Sequence, residues 1–208
     1  MNATPTSWTR KIPLMLIYSR MVFGGLLLIF SVFPTPYYTP VAFTLISAAL
    51  LSDILDGIIA RRLKISTEGL RRMDSSADQL FWVLAVIATF IQCRDFFYNH
   101  YASLGLLILL EVMTYIICFL KFKKEVATHA VTSKIWTLIL FGLMIQLTMT
   151  CDSVVLFQIC LYAGIISRLE IIAILISLKE WTHDVPSIYH ALLLRKGKPI
   201  TRHKLFNG

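Results

Sequence analysis

Six apolar runs of membrane-crossing length decide what this chain can fold into. They cover residues 12–33, 41–59, 74–91, 104–122, 135–149 and 154–178. A helix needs about 20 apolar residues to cross a bilayer, and 208 residues accommodate six such spans with short loops between them. Hydrophobic residues make up 57% of the chain and charged residues 15%, with a mean hydropathy of +0.71. A soluble domain does not carry that balance. The expected fold is all-α: a polytopic membrane protein of six transmembrane helices with short amphipathic terminal segments, one membrane domain over residues 1–208.

The net charge of +8 is unevenly spread. Basic residues gather at Arg10 and Lys11, between Arg61 and Arg72, at Lys121, Lys123 and Lys124, and from Arg195 to Lys204; the loops expected outside hold only Arg94. The positive-inside bias then puts both termini and the 61–73 linker in the cytoplasm, facing anionic lipid. No basic and aromatic stripe of the nucleic-acid kind accompanies the charge. Trp8, Tyr98, His100 and Tyr101 are expected at the interfaces. Asp184 as N-cap and Pro186 in the first turn open a short interfacial helix, with Ile188, Leu192 and Leu193 on its apolar side. That helix and the basic tail occupy residues 180–208. The first apolar run is long, carries Arg20 and has no small-residue cleavage site after it, so no cleavable signal peptide is expected. Cys93, Cys118, Cys151 and Cys160 form no C-x-x-C pair and have no His cluster, which argues against zinc. Cys93 and Cys151 both fall near the outer surface, but spacing alone assigns no disulfide.

Between the second and third runs lies SDILDGIIARRLKISTEGLRRMDSSADQ, from Ser52 to Gln79. It holds Asp53, Asp56, Asp74 and Asp78, four of the 12 acidic residues. Spacings of three and four put each pair on one helix face. Two helices joined by the basic linker can turn both pairs toward each other. Four carboxylates at close range repel strongly in a low-dielectric setting, and divalent cations between them relieve that repulsion. Hard oxygen ligands suit Mg²⁺ or Mn²⁺, and two metals roughly 3.5–4 Å apart are a common arrangement for displacement at phosphorus. Gly57 and Ala60 leave a bare helix face for close approach of a nucleotide. Arg61, Arg62, Lys64, Arg71 and Arg72 supply cations for phosphate. Aspartates and arginines at a membrane boundary also pair for structural reasons alone, but acids there are costly to keep and are usually functional.

The pattern D-x-x-D-G-x-x-A-R followed by D-x-x-x-D, carried by Asp53, Asp56, Gly57, Ala60, Arg61, Asp74 and Asp78, resembles the signature of the CDP-alcohol phosphatidyltransferases. These integral membrane enzymes move a phosphatidyl group from a CDP-linked donor to an alcohol. One position departs from the pattern. The family usually has a glycine four residues before the third aspartate; this chain has Leu70 there and Gly69 one residue earlier, as if a bend had moved by one position. The resemblance implies CDP-diacylglycerol as donor and two Mg²⁺ or Mn²⁺ ions held by Asp53, Asp56, Asp74 and Asp78. It also implies Asp78 as general base, Asp53, Gly57, Ala60 and Arg61 on the CDP moiety, and a homodimer. The segment IPLMLIYSR resembles the start of the bacterial-type subgroup that uses glycerol 3-phosphate. The expected setting is accordingly a bacterial inner membrane, with the active site at its cytoplasmic face. Inositol phosphate, serine, phosphatidylglycerol and other polyols are the alternative acceptors.

Charges inside the apolar runs complete the set. Arg20 either snorkels to the inner surface or takes part in helix pairing, or it points into the bundle to hold a phosphate. Glu111 is expected to face the bundle in a structural hydrogen bond rather than lipid. Arg168 and Glu170 either satisfy other charges or, for Arg168, face the active cavity. Related enzymes hold the acceptor's phosphate with basic residues on later helices, which makes Lys134 and Arg168 acceptor-binding candidates; Arg20, if it points inward, is a third. Two other classes fit the acids less well. A UbiA-type prenyltransferase tends to place its acidic motifs far apart in sequence, and a divalent-cation transporter wants carboxylates at the midplane with broken helices or repeated halves.

Overall fold

The structure, a computed structural model, describes residues 11–33, 35–63, 67–124, 126, 130–182 and 185–198, apart from the side chains of Arg61, Glu68 and Arg71. Among the described residues there are eight helices and no strand. They are α1 (Ile12–Val32), α2 (Tyr38–Arg62), α3 (Glu68–Gln92), α4 (Arg94–Asn99), α5 (Tyr101–Phe122), α6 (Val131–Thr150), α7 (Val155–Ser177) and α8 (Ile188–Arg195). Six of them, α1, α2, α3, α5, α6 and α7, are long and apolar enough to cross a membrane. The expectations placed on Trp8, Arg10, Lys64, Asp184 and the tail beyond Lys198 lie outside the described residues.

Helix ends follow local chemistry. Pro13 sits in the first turn of α1, where its missing N–H costs no hydrogen bond. Thr67 caps α3 by accepting a hydrogen bond from the Leu70 N–H at 3.2 Å. This cap starts α3 six residues before Asp74, so the acid lies in the second turn rather than at the helix start. Arg61 and Arg62 extend α2 beyond the expected end at Ile59. Gly69 stands in the first turn of α3 and has no positive φ, so the shifted bend expected there does not occur. Lys123 ends α5 in the left-handed region, with φ 53°. The outer loop expected from Cys93 to Ser103 is instead mostly helical, since α4 and the start of α5 lie within it.

The chain divides into two compact units, Met1–Phe96 with Met144–Asp152, and Phe97–Leu143 with Ser153–Gly208. In the first, α1 packs along both α2 and α3, which touch each other only briefly. The buried stripe of α1 is Ile17, Arg20, Gly24, Leu27 and Ser31, at helical spacings of three and four. Those of its partners are Ala42, Ile46, Ala49, Ser52 and Asp56 on α2, and Ala77, Phe81, Ala85 and Ala88 on α3. The α1–α3 contact is close: a Cβ on Gly24 would stand 3.0 Å from Leu84 Cδ1. Beyond Gln92, a disulfide joins Cys93 to Cys151. The Gln92 side-chain N–H donates to the Ser31 carbonyl at 2.7 Å, which ties α3 to α1 at the same end.

In the second unit α7 packs on α5 and α8. Its core is Cys118, Ala130, Ile171, Ile174, Leu175, Leu178, Val185 and Ala191. Lys121 donates to the Leu175 and Ile176 carbonyls at 2.9 and 2.7 Å, which satisfies carbonyls at the C-terminal end of α7. Glu170 accepts from the Thr132 hydroxyl and from the Ile188 N–H, which fastens α6 and α8 to α7.

Candidate functional site

The stripes that seat α1 against its neighbours bring the motif acids together. Asp53 and Asp56 lie one turn apart near the C-terminal end of α2, and Asp74 and Asp78 one turn apart near the N-terminal end of α3. Because α1 runs along both helices, a side chain on its packed face reaches both pairs. Arg20 is that side chain. One terminal nitrogen, Nη1, donates to Asp53 Oδ1 at 2.9 Å and to Asp78 Oδ1. The other, Nη2, donates to Asp56 Oδ2 and Asp74 Oδ1. Each nitrogen therefore bridges one acid of α2 and one of α3, and the planar fork of the guanidinium matches this double stitch. Nε has no hydrogen-bond partner.

Burial within the cluster is uneven. The Arg20 side chain is 1% exposed and Asp56 3%, whereas Asp53, Asp74 and Asp78 each keep 35%. The site is thus closed behind Arg20 and Asp56 and open across the other three carboxylates. Formal charge is unbalanced, with four carboxylates against one guanidinium, and at close range that excess favours additional cations. Ligand oxygens of Asp53, Asp56 and Asp74 lie within 4.8 Å of one another. An all-oxygen set of this kind suits a hard divalent ion such as Mg²⁺ or Mn²⁺ and is a poor match for softer metals. The donor set therefore fits the metals the sequence implies.

The snorkelling reading of Arg20 is overturned. The side chain turns inward because four carboxylates there offer a buried cation more than the water at the membrane surface does. Gly57, beside the acids on α2, is half-buried and Ala60 is buried; the Arg61 side chain lies outside the described residues. Lys134 is exposed on α6. In the second unit, Arg168 Nε pairs with Glu111 Oε2 at 2.7 Å, and its guanidinium lies 4.7 Å from the centre of the Trp136 ring. The Trp136 indole donates to the Cys160 carbonyl at 3.1 Å and packs on Gly164, where a Cβ would stand 2.7 Å from the indole nitrogen. Glu111 thus has the structural partner expected of it. Sequence reasoning named Arg20 without finding its partners. The available signal was an arginine eight residues into an apolar run, in step with Ile17, Gly24 and Leu27 on the packed face.

The family model for CDP-alcohol phosphatidyltransferase matches residues 10–179, a stretch that takes in all six long helices and the four aspartates. No curated protein and no solved structure matches the chain.

Proposed function

The chain belongs to the CDP-alcohol phosphatidyltransferase family, and from that premise we propose that its donor is CDP-diacylglycerol and its acceptor glycerol 3-phosphate. Membership makes it a transferase of substituted phosphate groups in phospholipid synthesis, and its six apolar helices make it an integral membrane protein. The prenyltransferase and transporter readings give way to that membership. The observation that carries the chemistry is the convergence of Asp53, Asp56, Asp74 and Asp78, from two helices, on one point beside an open face.

The family is metal-dependent, and the four aspartates are the residues that would hold two Mg²⁺ or Mn²⁺ ions. Bound there, the ions would polarise the β-phosphorus and offset charge on departing CMP. The protein's own groups do the rest. Asp78, on the open side, takes the proton from the acceptor hydroxyl as that oxygen bonds to the β-phosphorus. The bond from the β-phosphorus to the bridging oxygen breaks, and CMP leaves with that electron pair. Asp53, Gly57, Ala60 and Arg61 hold the CDP moiety, while the acyl chains of the donor stay in lipid. Arg20 and Lys134 are the cations proposed for the acceptor's phosphate. Arg168 is the third candidate, and it pairs with Glu111 beside the Trp136 ring.

The site is proposed to face the cytoplasm of a bacterial inner membrane, in a homodimer with both termini inside. Basic residues flank the acidic end of α2 and α3, as cytoplasmic loops do. Cys93 lies 19 positions beyond Asp74, about 28 Å along a helix, and its disulfide belongs to an oxidising compartment.

The deciding assay uses purified protein, Mg²⁺ or Mn²⁺, labelled CDP-diacylglycerol and separate acceptors. CMP release should be fastest with glycerol 3-phosphate and absent when divalent ions are chelated. Faster release with inositol phosphate, serine or phosphatidylglycerol would reassign the acceptor.

A further inference from the structure

We infer that Arg20 is an exchangeable counter-cation for the aspartate cluster. It holds the four carboxylates together when no divalent ion is bound and gives them up as ions bind, and its freed guanidinium then turns to ligand phosphate. The inference rests on the metal-dependent reading above and assigns a positioning role to a residue outside the motif.

Three observations carry it. First, the guanidinium contacts every one of the four acids, so the point at which it sits is the point where an ion bound by the same set would sit. A magnesium–oxygen bond is about 2.0–2.1 Å long, which leaves no room for a guanidinium between the same oxygens. Second, the charges do not close with Arg20 alone. One guanidinium leaves three carboxylates unbalanced, whereas two divalent ions balance all four. A guanidinium still buried nearby then gives the site a positive excess, which a diphosphate or a phosphorylated alcohol complements. Third, Arg20 is incompletely satisfied where it lies. Its Nε is buried without a partner, and an orphaned buried donor weakens its hold on that position. Nothing in the backbone needs to move for the exchange. Ile17, Gly24 and Leu27 fix α1 on either side of Arg20, and the long side chain rotates from that anchored base.

The test is Mn²⁺ binding to the detergent-purified, metal-stripped protein, followed by electron paramagnetic resonance, in wild type, Arg20→Gln and Arg20→Lys. Removing the competitor should tighten Mn²⁺ binding in Arg20→Gln by about tenfold; Arg20→Lys, a point charge that cannot span both pairs, should gain about threefold. In chelator, Arg20→Gln should melt below wild type, and added Mg²⁺ should raise its melting temperature by the larger amount. CMP release should fall in Arg20→Gln at saturating metal. Should Arg20→Gln fail to fold, the comparison rests on Arg20→Lys. Unchanged or weaker Mn²⁺ binding in the folded variants overturns the exchange and leaves the metal site standing. No Mn²⁺ binding in wild type or variant overturns the metal reading itself.

Discussion

Two arginines inside the helix bundle, Arg20 buried and Arg168 half-buried, sit in opposite electrostatic situations. Arg168 faces one carboxylate, Glu111, at 2.7 Å and rests on an indole ring. Arg20 faces four carboxylates and has no aromatic partner among its described contacts. The first arrangement is matched in charge, one guanidinium to one carboxylate; removing either partner strands a charge. The second carries three formal negative charges that Arg20 does not balance, which is costly to keep inside a membrane protein. A matched pair is a means of burying charge in a helix bundle, and an unmatched cluster is a means of attracting cations from outside it.

Four comparisons break or sharpen that contrast, and the largest effect belongs to the cluster. Asp78→Asn should lower CMP release by a factor of about 10³, within the range of a lost general base, while nucleotide binding persists. Normal turnover would remove Asp78 from its role. On the side of the matched pair, Arg168→Met should destabilise the protein by about 2 kcal/mol. This is below the 3–5 typical of fully buried pairs, because Glu111 keeps 33% of its side-chain exposure. Adding Glu111→Leu should restore most of the loss, and equal losses in single and double variants would deny the coupling. A third comparison concerns sign. In chelator, Asp56→Asn should stabilise the protein by about 1 kcal/mol by removing one of four repelling charges, although CMP release is lost. Glu111→Gln should destabilise it by a similar amount and leave CMP release near wild type. Unfolding curves in mixed micelles separate the two, and like signs would erase the distinction between cluster and pair. The smallest effect is at Gly69, where a Cβ would meet nothing within 4 Å and the backbone is helical. Gly69→Ala should change stability by less than about 1 kcal/mol and leave the rate unchanged. A large loss of rate would restore a role for glycine near that position.

These residues also mark how far the sequence could be read. Apolar run length placed all six long helices, because the bilayer imposes one length on every span. The pairing of Asp53 with Asp56 and of Asp74 with Asp78 follows from helical periodicity alone. What joins the pairs did not follow, because Arg20 is 33 positions from the nearest aspartate of the motif and its direction depends on α1 packing along both neighbours. The same limit hid the bond between Cys93 and Cys151, 58 positions apart, which requires the ends of α3 and α6 to meet. The cap at Thr67 was written in the sequence but overlooked. A threonine three residues before Leu70 accepts its N–H and lengthens α3 backward, which displaced Asp74 from the helix start. The short α4 escaped because six residues are too few for a periodic signal.

The fastening of α3 at its far end has a mechanical consequence. At that end Gln92 holds the Ser31 carbonyl, and a covalent bond secures Cys93. At the acidic end Arg20 bridges the carboxylates of α2 and α3. Were α3 to tilt about this pin at Cys93, the displacement would grow along the helix toward Asp78 and Asp74. With a lever of about 28 Å, a tilt of about 4° at the pin moves a carboxylate by about 2 Å. That is a displacement comparable to a metal–ligand bond length.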